Sequence, residues 1–206
     1  MMISNNLFSL ESKTALVTGG STGLGLMATA GLAAAGAKVF IVSRKLENCE
    51  KAANKINNCN FKGQVVPFKG DLSSEAGISN IVNELHKKNS ELHVLVNNAG
   101  RTWGSNFGSF PYDAWEKVLN LNVSALFHLT QKLVPLLAAS AERDSPTRVI
   151  NIGSVMGEVP MGDGAYSYAA SKSAVHHITK ILAKELAEKN ITVNALSPGP
   201  FQSNMT

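Results

Sequence analysis

Residues 14–25 read TALVTGGSTGLG: a short run, Thr14–Thr18, passes without a break into the glycine-rich turn Thr18–Gly25. A segment with helical spacing, Leu24–Ala35, follows at once. Strand, glycine turn and helix in immediate succession open a βαβ unit that can hold phosphates. Gly19 can turn the chain sharply off the strand, and Gly23 and Gly25 lack the Cβ that would keep a pyrophosphate from the backbone. The new helix offers N–H groups and the positive end of its dipole. Gly19, Ser21, Thr22, Gly23, Leu24 and Gly25 are therefore expected to cradle a dinucleotide. Their spacing is G-x-x-x-G-x-G, not the G-x-G-x-x-G of the best-known dinucleotide fingerprint.

Outward from this turn, five more short apolar runs occur at Lys38–Val42, Gln64–Phe68, Leu92–Val96, Arg148–Ile152 and Ile191–Leu196. Several are apolar throughout, as parallel strands covered on both faces are. Longer segments with helical spacing, such as Ser171–Lys189, lie between them. The alternation predicts an α/β fold, a doubly wound parallel sheet of the Rossmann type, in a single domain over residues 1–206. No repeat or low-complexity tract interrupts it.

Composition narrows the function classes. Hydrophobic residues make up 44% and charged ones 17%, the balance of a soluble globular chain. No apolar stretch approaches the ~20 residues of a membrane span, and the amino terminus has no basic start followed by an apolar block. A cytoplasmic protein is the expectation, with an organelle as the other possibility. The net charge of +4 comes from scattered lysines, so neither nucleic acid nor membrane is an expected partner. Cys49 and Cys59 have no partner pair and predict reduced thiols, not a disulfide framework or a zinc site. His176 and His177, adjacent on a helix, point about 100° apart and offer no metal geometry. His86, His93 and His128 stand alone, and no metal is expected.

Two further positions carry chemistry. At the end of the second strand an acidic residue would bond ribose hydroxyls, whereas an arginine accommodates a 2′-phosphate. Ser43, Arg44 and Lys45 stand there, with no carboxylate before Glu47, which favours NADPH over NADH. Near the end of the fifth strand stands Ser154, fourteen residues before Tyr168, and Lys172 follows four positions later. On a helix, Tyr168 and Lys172 share one face. A phenol is a poor acid–base group at neutral pH, and a nearby ammonium favours its phenolate. The expected division of labour gives Ser154 the substrate carbonyl and Tyr168 the proton. Tyr166 has no lysine at the fourth position and is expected to be structural.

With these residues in place the chain resembles the short-chain dehydrogenase/reductase family along almost its whole length. The carriers are the Thr18–Gly25 loop, NNAG at Asn97–Gly100, Ser154 with Tyr168 and Lys172, and SPG at Ser197–Gly199. The resemblance implies further roles. Asp71 and Leu72 would meet the adenine, Asn98, Ala99 and Gly100 would line the cofactor, and Pro198 and Gly199 would flank the nicotinamide. Tyr168 and Lys172 would also bond the nicotinamide ribose. Asn122 would support a proton relay to the lysine, in preference to Asn120 two positions earlier. The strings NNAGRTWG, LNLNVSALFHLTQ, INIGSVMG and PGPFQSNMT resemble 3-oxoacyl reductases of the rhamnolipid type. They imply NADPH-dependent reduction of a 3-oxoacyl thioester, with Trp103, Met156, Met161 and Phe201 as apolar lining or as ordinary core. The resemblance also implies a homodimer or homotetramer.

Relative to the family pattern the sequence stops early at Thr206, so the expectation is a fold without the C-terminal lid and last strand. The alternative reading is a non-catalytic relative that binds nucleotide or a partner.

Overall fold

The computed structural model describes residues 8–89, 91–161 and 164–201. The first seven residues and the last five of the PGPFQSNMT string lie outside them. Six strands form one parallel sheet: β1 Thr14–Thr18, β2 Lys38–Ser43, β3 Gln64–Lys69, β4 Val94–Asn97, β5 Thr147–Ile152 and β6 Ile191–Leu196. Their order across the sheet is β3-β2-β1-β4-β5-β6. The chain thus winds outward from β1 to β3, then returns to the other side of β1 and winds the opposite way. That reversal puts a crevice beyond the carboxyl ends of β1 and β4, where open parallel sheets bind ligands.

The helices are α1 Gly23–Ala34, α2 Leu46–Asn57, α3 Glu75–Lys88, α4 Tyr112–Leu119, α5 Ala125–Ala139 and α6 Tyr166–Leu186. Alternation along each strand decides which face it feeds. Ala15 and Val17 of β1, with Val39 and Ile41 of β2, pack with Ala33 of α1 and Ala52, Ala53 and Ile56 of α2. Leu16, Phe40, Val42 and Leu95 point the other way, onto Ile81 and Leu85 of α3, Leu129 and Leu133 of α5, and Leu182 of α6. Every residue of β1 is buried, which explains why its sequence shows no polar alternation.

The expected strands are matched within one or two residues. Leu92 and His93 precede β4 instead of opening it, although the His93 main chain bonds Thr14 O and Arg148 N on either side. Helix α6 begins at Tyr166, five residues before the expected Ser171. It lacks the usual opening signal: its cap position is Ala165, which has no side chain that could cap it. Its last turn tightens into the 3₁₀ segment Ala187–Lys189, so the predicted end is met. No helix among the described residues is long and apolar enough to cross a membrane.

Candidate active site

The glycine turn is shaped by its backbone. Gly19 and Gly23 take φ values of +63° and +53°, in the left-handed region that disfavours a Cβ. At Gly25 the constraint is space. A Cβ there would lie 2.3 Å from Gly19 O and 2.4 Å from Asn98 Nδ2. α1 starts after Thr22, whose side chain makes no cap, and no acidic residue sits in its first turn. Its N-terminal dipole thus faces the crevice without a competing carboxylate, as a phosphate would require.

Across the crevice the β4 loop is tied to the glycine turn. The Thr18 hydroxyl accepts from Asn98 N and Ala99 N, both at 2.9 Å, and Asn98 Nδ2 donates to Thr18 O at 2.9 Å. The Asn98 amide is thereby committed to holding the turn. Gly100 lies against the Asn122 side chain.

A cavity of about 590 Å³ opens at the carboxyl ends of β2 and β3, lined by Arg44, Lys45, Leu46, Glu47, Glu50 and Lys69. Ser43 leads into it, its hydroxyl engaged by Lys45 O and by the buried Cys49 thiol. Lys69 was not singled out in the sequence, yet it pairs in register with Ser43 and brings a second strand's charge to the same place. Asp71 is exposed, and the Ser73 N–H bonded to its carboxylate at 2.9 Å holds its pKa below the usual value, with Arg44 adding a smaller pull. Leu72 is half-buried against the core.

The second group of residues is buried except for Tyr168, which is half-buried. Ser154, only 7% exposed, caps a short 3₁₀ turn, and its hydroxyl accepts from Met156 N at 3.2 Å. Tyr168 sits in the first turn of α6, within reach of the Ser154 hydroxyl. Burial pushes the Tyr168 phenol above its ordinary pKa, and the hydrogen bond from Ser154 only partly counters this. The expected help from an adjacent ammonium does not win. Lys172 Nζ instead turns to Ile152 O at 2.6 Å and lies 5.4 Å from the Tyr168 ring centroid. Burial brings the lysine down to about 8. Both shifts have one cause, since withdrawal from water penalises whichever form is charged.

Asn122 lies in a π-helical turn, Asn120–Ser124, between α4 and α5, a bulge of a kind often found at functional sites. Its side chain makes three hydrogen bonds: Oδ1 accepts from Arg101 N, and Nδ2 donates to Arg101 O and Ser171 Oγ, each at 2.9 Å. Asn120 faces outward and donates to Ser73 O. Tyr166 stacks edge-on between Phe107 and Phe110, apart from the polar cluster. Pro198 O accepts from Val155 N at 3.1 Å, so the SPG segment is held beside Ser154, and Gly199 is exposed. Trp103, Met161 and Phe201 are well exposed and Met156 is half-buried, so none of the four is ordinary core. Among the described residues no group of three or more His, Cys, Asp or Glu could hold a metal. His176, whose sequence context speaks only against a metal site, lies against the Ser154 main chain. The spacing of Tyr168, Lys172 and His176, every fourth residue, places the three on one face of α6 but does not mark the imidazole as an acceptor.

The sequence profile described as short chain dehydrogenase matches residues 13–206. The chain is 47% identical over 199 residues to the rhamnolipids biosynthesis 3-oxoacyl-[acyl-carrier-protein] reductase of Pseudomonas aeruginosa, covering 97% of this chain and 77% of that one. It is 35% identical over 202 residues to the 5-keto-D-gluconate 5-reductase of Escherichia coli, covering 98% and 77%. Among solved structures, the Pseudomonas aeruginosa RhlG/NADP active-site complex superposes with a TM-score of 0.93 at 46% identity, over 98% of this chain and 78% of that one.

Proposed function

This chain belongs to the short-chain dehydrogenase family, and from that premise we propose that it is an NADPH-dependent reductase of 3-oxoacyl thioesters, yielding the 3-hydroxyacyl form. The observation that carries the reading is the pairing of buried Ser154 with half-buried Tyr168 beside Lys172. NADPH is supported by Arg44, Lys45 and Lys69 around one cavity, and by the NADP complex of the similar Pseudomonas protein. The 2′-phosphate would lie among these cations, the pyrophosphate at Gly19–Gly25, and the nicotinamide between Gly100 and the Pro198–Gly199 segment. When bound, the reduced nicotinamide supplies the hydride.

The protein's own part is positioning and proton supply. Ser154 offers its hydroxyl to the substrate oxygen and shares the charge that develops there. Tyr168 gives its proton to the same oxygen. A phenol with a raised pKa holds that proton at neutral pH, as an acid must before it acts. Lys172 is an ammonium below about pH 8 and can steady the phenolate left behind. Asn122, held in the π turn by Arg101 and Ser171, would support the proton relay through water to Lys172. Trp103, Met156, Met161 and Phe201 give an apolar approach suited to an acyl chain. We expect a homodimer or homotetramer in the cytoplasm.

The reading is tested by NADPH oxidation with a 3-oxoacyl thioester beside a keto-sugar acid, the substrate type named for the Escherichia coli relative. We expect the thioester to be preferred at least ~100-fold in kcat/KM, roughly 2.7 kcal/mol of discrimination. Equal or faster turnover of the keto acid would overturn the substrate class.

A further inference from the structure

We infer that His176 is a positioning residue: it holds the catalytic serine loop in place through the Ser154 main chain. The inference rests on the reading of Ser154 as a catalytic group. Ser154 N donates to His176 Nε2 at 3.3 Å. An amide N–H can only donate, so Nε2 must be the unprotonated ring nitrogen, and the proton resides on Nδ1. Nδ1 faces Glu158 Oε1 at 3.3 Å without the alignment of a hydrogen bond. The Ser197 hydroxyl lies 3.2 Å from Nε2 and 2.7 Å from Glu158 Oε1. Since Nε2 has one lone pair and Ser154 N–H already takes it, Ser197 gives its proton to the carboxylate. The ring thus holds the Ser154 turn to α6 through one hydrogen bond, and the Ser197–Glu158 pair packs against it.

Two further observations separate this from ordinary packing. A Cβ at position 153 would lie 2.0 Å from His176 Nε2, so the glycine before Ser154 is what lets the ring reach the main chain. Gly153 N also donates to Leu196 O at 2.7 Å, which places the imidazole where the β5 and β6 loops meet. His176 lies one helical turn past Lys172, so Tyr168, Lys172 and His176 form a single row on α6. The row supplies a proton donor, a cation and a main-chain acceptor to one loop. Removing the acceptor would let Ser154 shift relative to Tyr168, and a displacement near 1 Å can cost about 10²-fold in rate.

The experiment compares His176→Leu, His176→Gln and Ser154→Ala in steady-state turnover with NADPH, alongside NADPH titration and thermal melting. A glutamine side chain can carry its carbonyl oxygen to the Nε2 position. We expect His176→Leu to lower kcat about tenfold or more with the NADPH Kd within ~3-fold, and His176→Gln to restore most of the loss. Wild-type kcat in His176→Leu, or equal losses in the leucine and glutamine variants, overturns the inference while leaving the Ser154 reading intact if Ser154→Ala is inactive. Full activity in Ser154→Ala overturns both. Should His176→Leu fail to fold, His176→Asn keeps a polar side chain too short to reach Ser154 N; a kcat ~3-fold or more below that of His176→Gln supports the inference, and equal kcat in the two overturns it.

Discussion

The two sides of the crevice are built from different materials. On the β1–β2–β3 side the glycine turn works through main-chain shape: left-handed φ at Gly19 and Gly23, contact distance at Gly25, and an uncapped helix start. On the β4–β5–β6 side the work falls to side chains whose chemical state is set by burial, with Lys172 6% and Asn122 2% exposed. A shape made of backbone is sensitive to any added atom and indifferent to pH. A cluster made of buried titratable groups is the reverse. Cofactor binding and proton transfer should therefore fail separately.

Four changes would break or sharpen that contrast. Tyr168→Phe keeps the ring and removes the acid; kcat should fall by about 10³-fold with the fold unchanged, measured under saturating NADPH. Turnover that persists would remove Tyr168 from its role.

Next in size is a pH effect on stability confined to the catalytic side. The unfolded chain holds the Lys172 proton up to its ordinary 10.5, whereas the folded chain releases it near 8. Between those values the unfolded state binds more protons, so stability contributed by this group rises with pH. The penalty of the buried charge is fully present below pH 8 and is relieved on approach to 10.5. Its size is at most about 3 kcal/mol. Urea unfolding of the wild type against Lys172→Met should show a gap that narrows across this window; a constant gap would mean the lysine is not strained by burial.

On the cofactor side, Gly25→Val should weaken NADPH about thirtyfold, roughly 2 kcal/mol, with little change in kcat once the cofactor is saturating. An unchanged Kd would show that the turn does not carry the phosphates. The smallest effect is expected from Arg44→Asp, which should shift the NADPH-to-NADH affinity ratio by about tenfold, within the range of one charge-assisted hydrogen bond. Lys69 is the reason for the modest figure, since it leaves a cation on the neighbouring strand.

The same contrast decides what could be read in advance. The glycine turn was legible because a backbone shape demands particular residue types in a fixed local spacing. The strands were legible because short, largely apolar β-branched runs suit parallel strands covered on both faces. The start of α6 was not, since Ala165 carries no capping side chain and Gly164 before it adopts φ +76° for reasons set by the fold. Nor could sequence give the protonation of the cluster. Proximity of Lys172 suggested a lowered phenol pKa for Tyr168, but burial reverses the direction, and burial is a property of the whole fold. Asn122 was legible as a residue; its engagement with the Arg101 main chain was not, because that contact joins positions 21 residues apart. His176 was dismissed as a metal ligand and overlooked as a hydrogen-bond acceptor, since its partner is a main-chain N–H that no motif records.

The most direct test of the account is a parallel NADPH titration and turnover assay on Ser154→Ala and Gly25→Val. The account predicts that Ser154→Ala binds NADPH within ~3-fold of wild type while kcat falls about 100-fold, and that Gly25→Val shows the opposite pattern. If Ser154→Ala weakens NADPH as much as Gly25→Val does, the two sides of the crevice are not separable devices and the account is wrong.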